Sequence, residues 1–189
     1  MDEARLIERF SLDRIAKAGI SFNLDKLKWF NETYIRQKSE EELLELVKIE
    51  AGNTGFGLPE DSYMLVVIRM LQERVSVVGD FLTQAPFLFA TPDSYDEKMA
   101  KKRWKADSAE LLTDLGQRWQ ALESWDASAL EGAFEALLAE KEVGKGKVLA
   151  PLRLALTGAP AGPGVFDIAA LVGKEETAHR LAKAIETLG

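Results

Sequence analysis

The chain has 189 residues, 24 Lys+Arg against 31 Asp+Glu, a net charge of -7, one His and no Cys. This length suits one core, or two small helical lobes sharing one. It leaves no disulfide framework, thiol nucleophile or Cys-ligated zinc, and a lone His179 removes His-pair metal sites. No apolar run approaches the ~18 residues of a spanning helix, and the acidic start lacks a signal-like apolar stretch, so a cytoplasmic, membrane-free protein is expected. The overall acidity argues against a polyanionic partner such as nucleic acid. It is concentrated in residues 51–140, however, whereas residues 141–189 are mildly basic. Binding follows local patches rather than the sum.

In chain order the pattern reads as helix almost throughout. Leu24, Leu27, Phe30 and Tyr34 keep helical spacing behind Asn23, a plausible N-cap. Ser39 followed by Glu42 fits a capping box that opens a short helix through Leu43, Leu44 and Val47. Residues 51–57, with three glycines, read as a loop. Pro59 then stands near the start of a long helix whose apolar side runs from Tyr63 to Val78; Val75–Val78 alone could also be a strand.

Gly79 and Pro86 bracket a break around Phe81 and Leu82. Asp107 with Glu110 suggests a second capping box, opening a helix through Leu111, Leu115 and Trp119. A further helix carries Leu130, Phe134, Leu137 and Leu138. Gly144-Lys-Gly-Lys147 reads as a loop, and the helix after it tolerates Pro151 only near its first turn. Gly158-Ala-Pro-Ala-Gly-Pro-Gly164 is a stiff turn. Phe166 to Val172 is a short helix ended by Gly173, and Glu175 and Glu176 suit the first turn of the last helix. The fold class is all-α, with a division near residues 140–147.

Chemistry is sparse. Neither glycine-rich segment has the spacing of a phosphate loop. Nothing marks the acidic pairs as general acid–base residues, and His179 beside Arg180 reads as a surface residue. No catalytic or metal-binding residue is assigned. Several arginines sit oddly. Arg69 and Arg74 lie in or beside an apolar stripe, and Arg153 stands inside Pro151-Leu-Arg-Leu-Ala-Leu156. Such an Arg either snorkels or pairs with a buried carboxylate, or it projects toward a phosphate or a base edge. Trp29 beside Lys26, Lys28 and Arg36 offers a flat surface among cations, which suits RNA but equally describes a core Trp at a helix edge.

The two ends of the chain carry a resemblance. Phe10-Ser-Leu-Asp-Arg-Ile-Ala-Lys-Ala-Gly19, Phe22-Asn-Leu-Asp-Lys-Leu-Lys-Trp-Phe-Asn31 and Tyr34-Ile-Arg36 resemble the segment after the catalytic domain of bacterial glutamyl-tRNA synthetases. The C-terminal block Pro151-Leu-Arg-Leu-Ala-Leu-Thr-Gly158, with Gly162-Pro-Gly-Val-Phe166 and Leu171-Val-Gly-Lys-Glu175, is similar to the same family. The acidic middle matches it more weakly.

The resemblance implies a helical anticodon-binding cage of two lobes preceded by a small stem-contact segment. It sets residues 1–38 as the stem-contact segment facing the D-arm, 39–143 as the first lobe and 144–189 as the second. Arg74 matches the position where discriminating members read a cytosine at the third anticodon position. Arg153 matches an anticodon-contacting Arg, and Gly162, Pro163 and Val165 match a loop that packs on the anticodon bases. Gly162 departs from a side-chain-bearing residue there. Lys26, Trp29 and Arg36 fall on the side facing the D-arm.

The implied partner is tRNA(Glu), bound by a monomer with no cofactor of its own. ATP and Mg belong to the family's catalytic domain, whose HIGH-like and KMSK-like motifs this sequence lacks. The chain is thus expected to be the C-terminal part of a glutamate–tRNA ligase, inactive alone. The competing expectation is a stand-alone relative serving as an RNA- or protein-interaction module.

Overall fold

A computed structural model describes residues 3–11 and 23–189. Residues 12–22, which carry most of the first block quoted above, lie outside the described residues. Among the described residues there are eleven α-helices, one 3-10 turn and no strand. The helices are α1 (Glu3–Arg9), α2 (Leu24–Gln37), α3 (Glu40–Thr54), α4 (Asp61–Leu71), α5 (Asp80–Thr83), α6 (Glu97–Arg103), α7 (Ser108–Gln120), α8 (Ala127–Lys141), α9 (Lys145–Thr157), α10 (Val165–Val172) and α11 (Lys174–Leu188). The 3-10 turn is Pro86–Leu88. No helix among the described residues is long and apolar enough to cross a membrane.

Local chemistry sets many of the ends. Asn23 Oδ1 accepts the Lys26 N–H at 3.0 Å. Ser39 and Glu42 form the expected reciprocal box, Glu42 N–H to Ser39 Oγ at 3.2 Å and Ser39 N–H to Glu42 Oε2 at 3.0 Å. Asp96 caps α6 and Asp126 caps α8, each accepting from the third residue on. Gly55 and Gly158 end α3 and α9 in the left-handed conformation, at φ 73° and 67°.

Five expectations need correction. Residues 51–57 are not all loop: α3 continues to Thr54 because Leu43, Leu44, Val47 and Ala51 keep one buried stripe past Gly52. The helix after Pro59 stops at Leu71, well short of Val78, and Val75–Val78 forms neither helix nor strand. There the Gln72 amide donates to the Ile35 and Lys38 carbonyls at 2.9 and 3.0 Å, while Asp80 accepts the Ser76 and Val77 N–H groups. Phe81 and Leu82 are not a break but the buried face of α5. The Asp107–Glu110 capping box is not made, because Asp107 turns to Lys147 instead. Finally, Lys145 to Lys147 is the first turn of α9, so Pro151 lies in the helix interior, buried in the core.

One continuous apolar core runs from Ile35 to Ala184. Helices α3, α4 and α5 pack on one another, and α7 packs against α8, α9 and α11. The 3-10 turn and α6 both lie on α9. The junction expected at 140–147 therefore runs through the middle of the second group. Aromatic residues fix its layers: Phe166 meets Trp119 and Phe134 edge-on, and the Trp119 and Trp125 indoles donate to the Leu130 and Ala169 carbonyls, both at 3.0 Å.

Candidate nucleic-acid interface

The turn after α4 presents Arg74. Its backbone N–H donates to the Leu71 carbonyl at 2.7 Å, and buried Val75 anchors the next position. Gln72 ties the turn to the end of α2, and Ser76 Oγ donates to Glu32 at 2.7 Å. The backbone is thus held on both sides of an exposed Arg74, which forms no ion pair among the described residues. Arg69, the other odd arginine on this helix, is instead occupied by a two-pronged pair with Glu40, at 2.7 and 2.6 Å.

Arg153 projects from α9 and is half-buried. It finds no carboxylate among the described residues. Its Nη1 donates to the Pro163 carbonyl at 2.8 Å. Burial, and then the nearby charge of Arg74, hold its guanidinium below the usual arginine range. The two arginines, distant in sequence, are therefore electrostatic neighbours.

The loop between α9 and α10 closes this corner. A Cβ on Gly162 would sit 3.2 Å from the Phe87 ring and 3.6 Å from Arg153 Nη1. Gly162 thus lies over Phe87 and beside the guanidinium. The Pro163 and Val165 side chains are buried, so these residues shape the corner through their backbone and packing rather than through exposed side chains.

Phe87 is in turn fixed by Arg180, which was not singled out in the sequence. Arg180 is 2% exposed and donates to the carbonyls of Phe87, Leu156 and Ala90 at 2.7, 2.9 and 3.2 Å. Its Nε pairs with Glu176 at 2.6 Å. His179 next to it is exposed. Burial alone pushes the Glu176 carboxyl up, but the Thr91 hydroxyl and Arg180 outweigh it and hold the carboxyl below its ordinary value.

Lys26, Trp29 and Arg36 share one face of α2, at helical spacing. Trp29 is 57% exposed and meets Phe30 edge-on, while Lys26 Nζ stands 5.9 Å from the Phe30 ring. Trp29 is therefore not a core residue among the described contacts. Arg36 pairs with Glu73 at 2.9 Å and with Glu32 at 3.8 Å. This joins α2 to the turn that carries Arg74.

The family model for the anticodon binding domain matches residues 26–185, most of the chain. The chain belongs to the anticodon-binding domain family. It is 39% identical to the glutamate–tRNA ligase of Bacteroides fragilis over 188 residues, 100% of this chain and 37% of that protein. Identity to the glutamate–tRNA ligase of Christiangramia forsetii is 37% over 190 residues, 97% of this chain and 36% of the other. A crystal structure of the glutamate tRNA ligase from Elizabethkingia meningosepticum, in complex with its amino acid, superposes with a TM-score of 0.87 at 36% identity, covering 98% of this chain and 37% of that one. This anticodon-binding chain thus spans just over a third of the length of the ligases it matches.

Proposed function

We propose that this chain is the tRNA-reading, C-terminal part of a glutamate–tRNA ligase, holding tRNA(Glu) by its anticodon. The whole ligase attaches glutamate to that tRNA at the expense of ATP. The observation that carries the reading is the corner where Arg153 meets the loop of Gly162 and Pro163, with the charge of Arg74 near enough to be felt. Among the described residues neither guanidinium has a carboxylate partner, in a chain with a net charge of -7. Two such uncompensated cations suit an acceptor-rich ligand.

Arg74 reads the third anticodon base. A guanidinium donates to the O2 and N3 acceptors of cytosine but meets donors on the Watson–Crick edge of guanine. Arg153 approaches the anticodon from α9, its orientation fixed by the Pro163 carbonyl. Gly162 leaves the surface open beside it, and Pro163 and Val165 brace the loop. Lys26, Trp29 and Arg36 face the D-arm side of the tRNA. Residues 1–38 form the stem-contact segment, and the two lobes of the cage, 39–143 and 144–189, share the core described above. Glutamate, ATP and Mg are handled by the catalytic domain of the whole ligase. The protein acts as a cytoplasmic monomer, and this chain alone forms no glutamyl-tRNA.

The test is equilibrium binding of the chain to a glutamate tRNA transcript at low salt. Binding that weakens steeply with salt supports the reading. Absence of binding at low salt favours the stand-alone interaction module, for which the net negative charge speaks.

A further inference from the structure

Many cations among the described residues are neutralised where they stand. Arg36, Lys48, Arg69, Arg118, Lys141 and Lys145 each pair with a carboxylate within 4 Å. Helix α6 is different. It carries Lys98, Lys101, Lys102 and Arg103, and Lys105 follows it, all of them exposed. Lys98, Lys101 and Lys102 fall on one face of α6 at helical spacing, Met99 and Ala100 are half-buried, and Lys105 follows the extended, half-buried Trp104. Among the described residues only Lys101 has a carboxylate, Glu97 at 3.6 Å, and that pair is 80% and 85% exposed. Lys98, Lys102, Arg103 and Lys105 have none among the described residues.

Folding accounts for only part of this arrangement. The negative end of the helix favours Lys101, Lys102 and Arg103, which lie in its last turn, but not Lys98 in the first. Like charges three and four residues apart also repel one another. Helix α6 is also tied to α9, the helix that carries Arg153. The Asp96 N–H at the start of α6 donates to the Gly158 carbonyl at 2.8 Å. From that bond Arg103 lies about 10 Å along α6, and Arg153 about 8 Å back along α9, at ~1.5 Å per residue.

We infer that the exposed cations carried by α6 and the residues just after it, Lys98, Lys101, Lys102, Arg103 and Lys105, bind the sugar–phosphate backbone of the same RNA whose bases Arg74 and Arg153 read. This rests on the RNA-reading function proposed above. Cations on flexible stems, on a helix tied to the one that carries Arg153, suit phosphates, which position a nucleic acid without specifying its sequence. The surface supplies affinity and salt dependence, and the corner supplies selectivity.

The test compares two sets of four Lys or Arg to Gln substitutions in the full chain. One removes Lys98, Lys102, Arg103 and Lys105. The other removes Lys48, Arg69, Lys141 and Lys145, which are already paired, so both change the net charge equally. Binding to a glutamate tRNA transcript is measured across a salt series, with either C or G at the third anticodon position. The α6 set is expected to lose at least about tenfold in affinity at low salt, to flatten the salt slope by about two or more, and to keep its preference for C. The paired set should stay near the unsubstituted chain. Changing Lys98, Lys102 and Lys105 to Arg should retain the slope. Equal losses in both Gln sets would reduce the effect to net charge and overturn the inference, as would an unchanged slope in the α6 set. An unsubstituted chain that binds no RNA overturns the inference together with the function beneath it, and that pattern is distinct from either of the others.

Discussion

Arg153 donates to the carbonyl of Pro163 at 2.8 Å, with the positive charge of Arg74 near enough to depress its pKa. A half-buried guanidinium is usually compensated by a carboxylate; here the compensation is a backbone oxygen and the neighbouring charge is repulsive. An anion or an acceptor edge entering this corner relieves the repulsion.

Replacing Arg153 with Met separates stability from binding. One hydrogen bond is lost but a desolvated, repelled charge goes with it, so the melting free energy should change by less than about 1 kcal/mol. Affinity for glutamate tRNA should fall about tenfold, as loss of a charged contact to RNA implies. A calorimetric melt and a binding titration on the same variant check both parts. A large loss of stability with no loss of binding would make Arg153 purely structural.

Arg74→Gln should leave the fold intact, because the exposed side chain forms no ion pair among the described residues and the turn is held by Gln72 and Asp80. In the whole ligase, discrimination between C and G at the third anticodon position should relax by about tenfold or more, the scale of one good base contact. Glutamylation rates with the two tRNA forms measure this. Undiminished discrimination would take Arg74 out of the reading role.

Gly158 is where α6, α9 and the segment before α6 meet. It has φ 67°, and a Cβ there would collide with the Ser94 carbonyl and approach Pro92 at 3.1 Å. The left-handed conformation alone costs a non-glycine residue about 1–2 kcal/mol. Gly158→Ala should therefore destabilise the protein by more than about 2 kcal/mol, read as a fall in the denaturation midpoint. A near-neutral result would mean that this junction yields easily.

Acid stability should depend on Glu176. Its carboxyl titrates below its ordinary 4.5 in the folded chain because Thr91 and Arg180 hold the anion. The unfolded chain thus takes up the proton first as pH falls. The stabilisation is fully present above the ordinary value and is lost as pH drops through the folded one. Glu176→Gln should flatten the decline of melting temperature in that acid window. An unaltered decline would show that other carboxylates carry it.

How much of this was legible in the sequence depends on the range of the interactions. The Ser39–Glu42 box and the Asn23 cap use neighbours, and both stand as read. The end of α4 does not, because it is set by Gln72 reaching Ile35 and Lys38 across 34 to 37 residues. Asp107 has the spacing of a cap, but Lys147, forty residues on, takes it away. Glycine content misled at residues 51–57, where a buried stripe carries α3 past Gly52.

The site divides similarly. Arg74 and Arg153 stood out as charges among apolar neighbours, but their proximity and the carbonyl partner of Arg153 are tertiary facts. Arg180 was hidden because it follows His179 in a charged helix, and only folding turns it inward onto three carbonyls. The α6 lysines were hidden differently. The Lys98–Lys105 run is visible in the sequence, but a regional sum dominated by acid averaged it away.

The most direct measurement is the affinity of this chain for glutamate tRNA with C, and then G, at the third anticodon position, at low salt. The account expects salt-sensitive binding that is about tenfold or more tighter for C. No binding at low salt, or equal binding to both tRNAs, would contradict it.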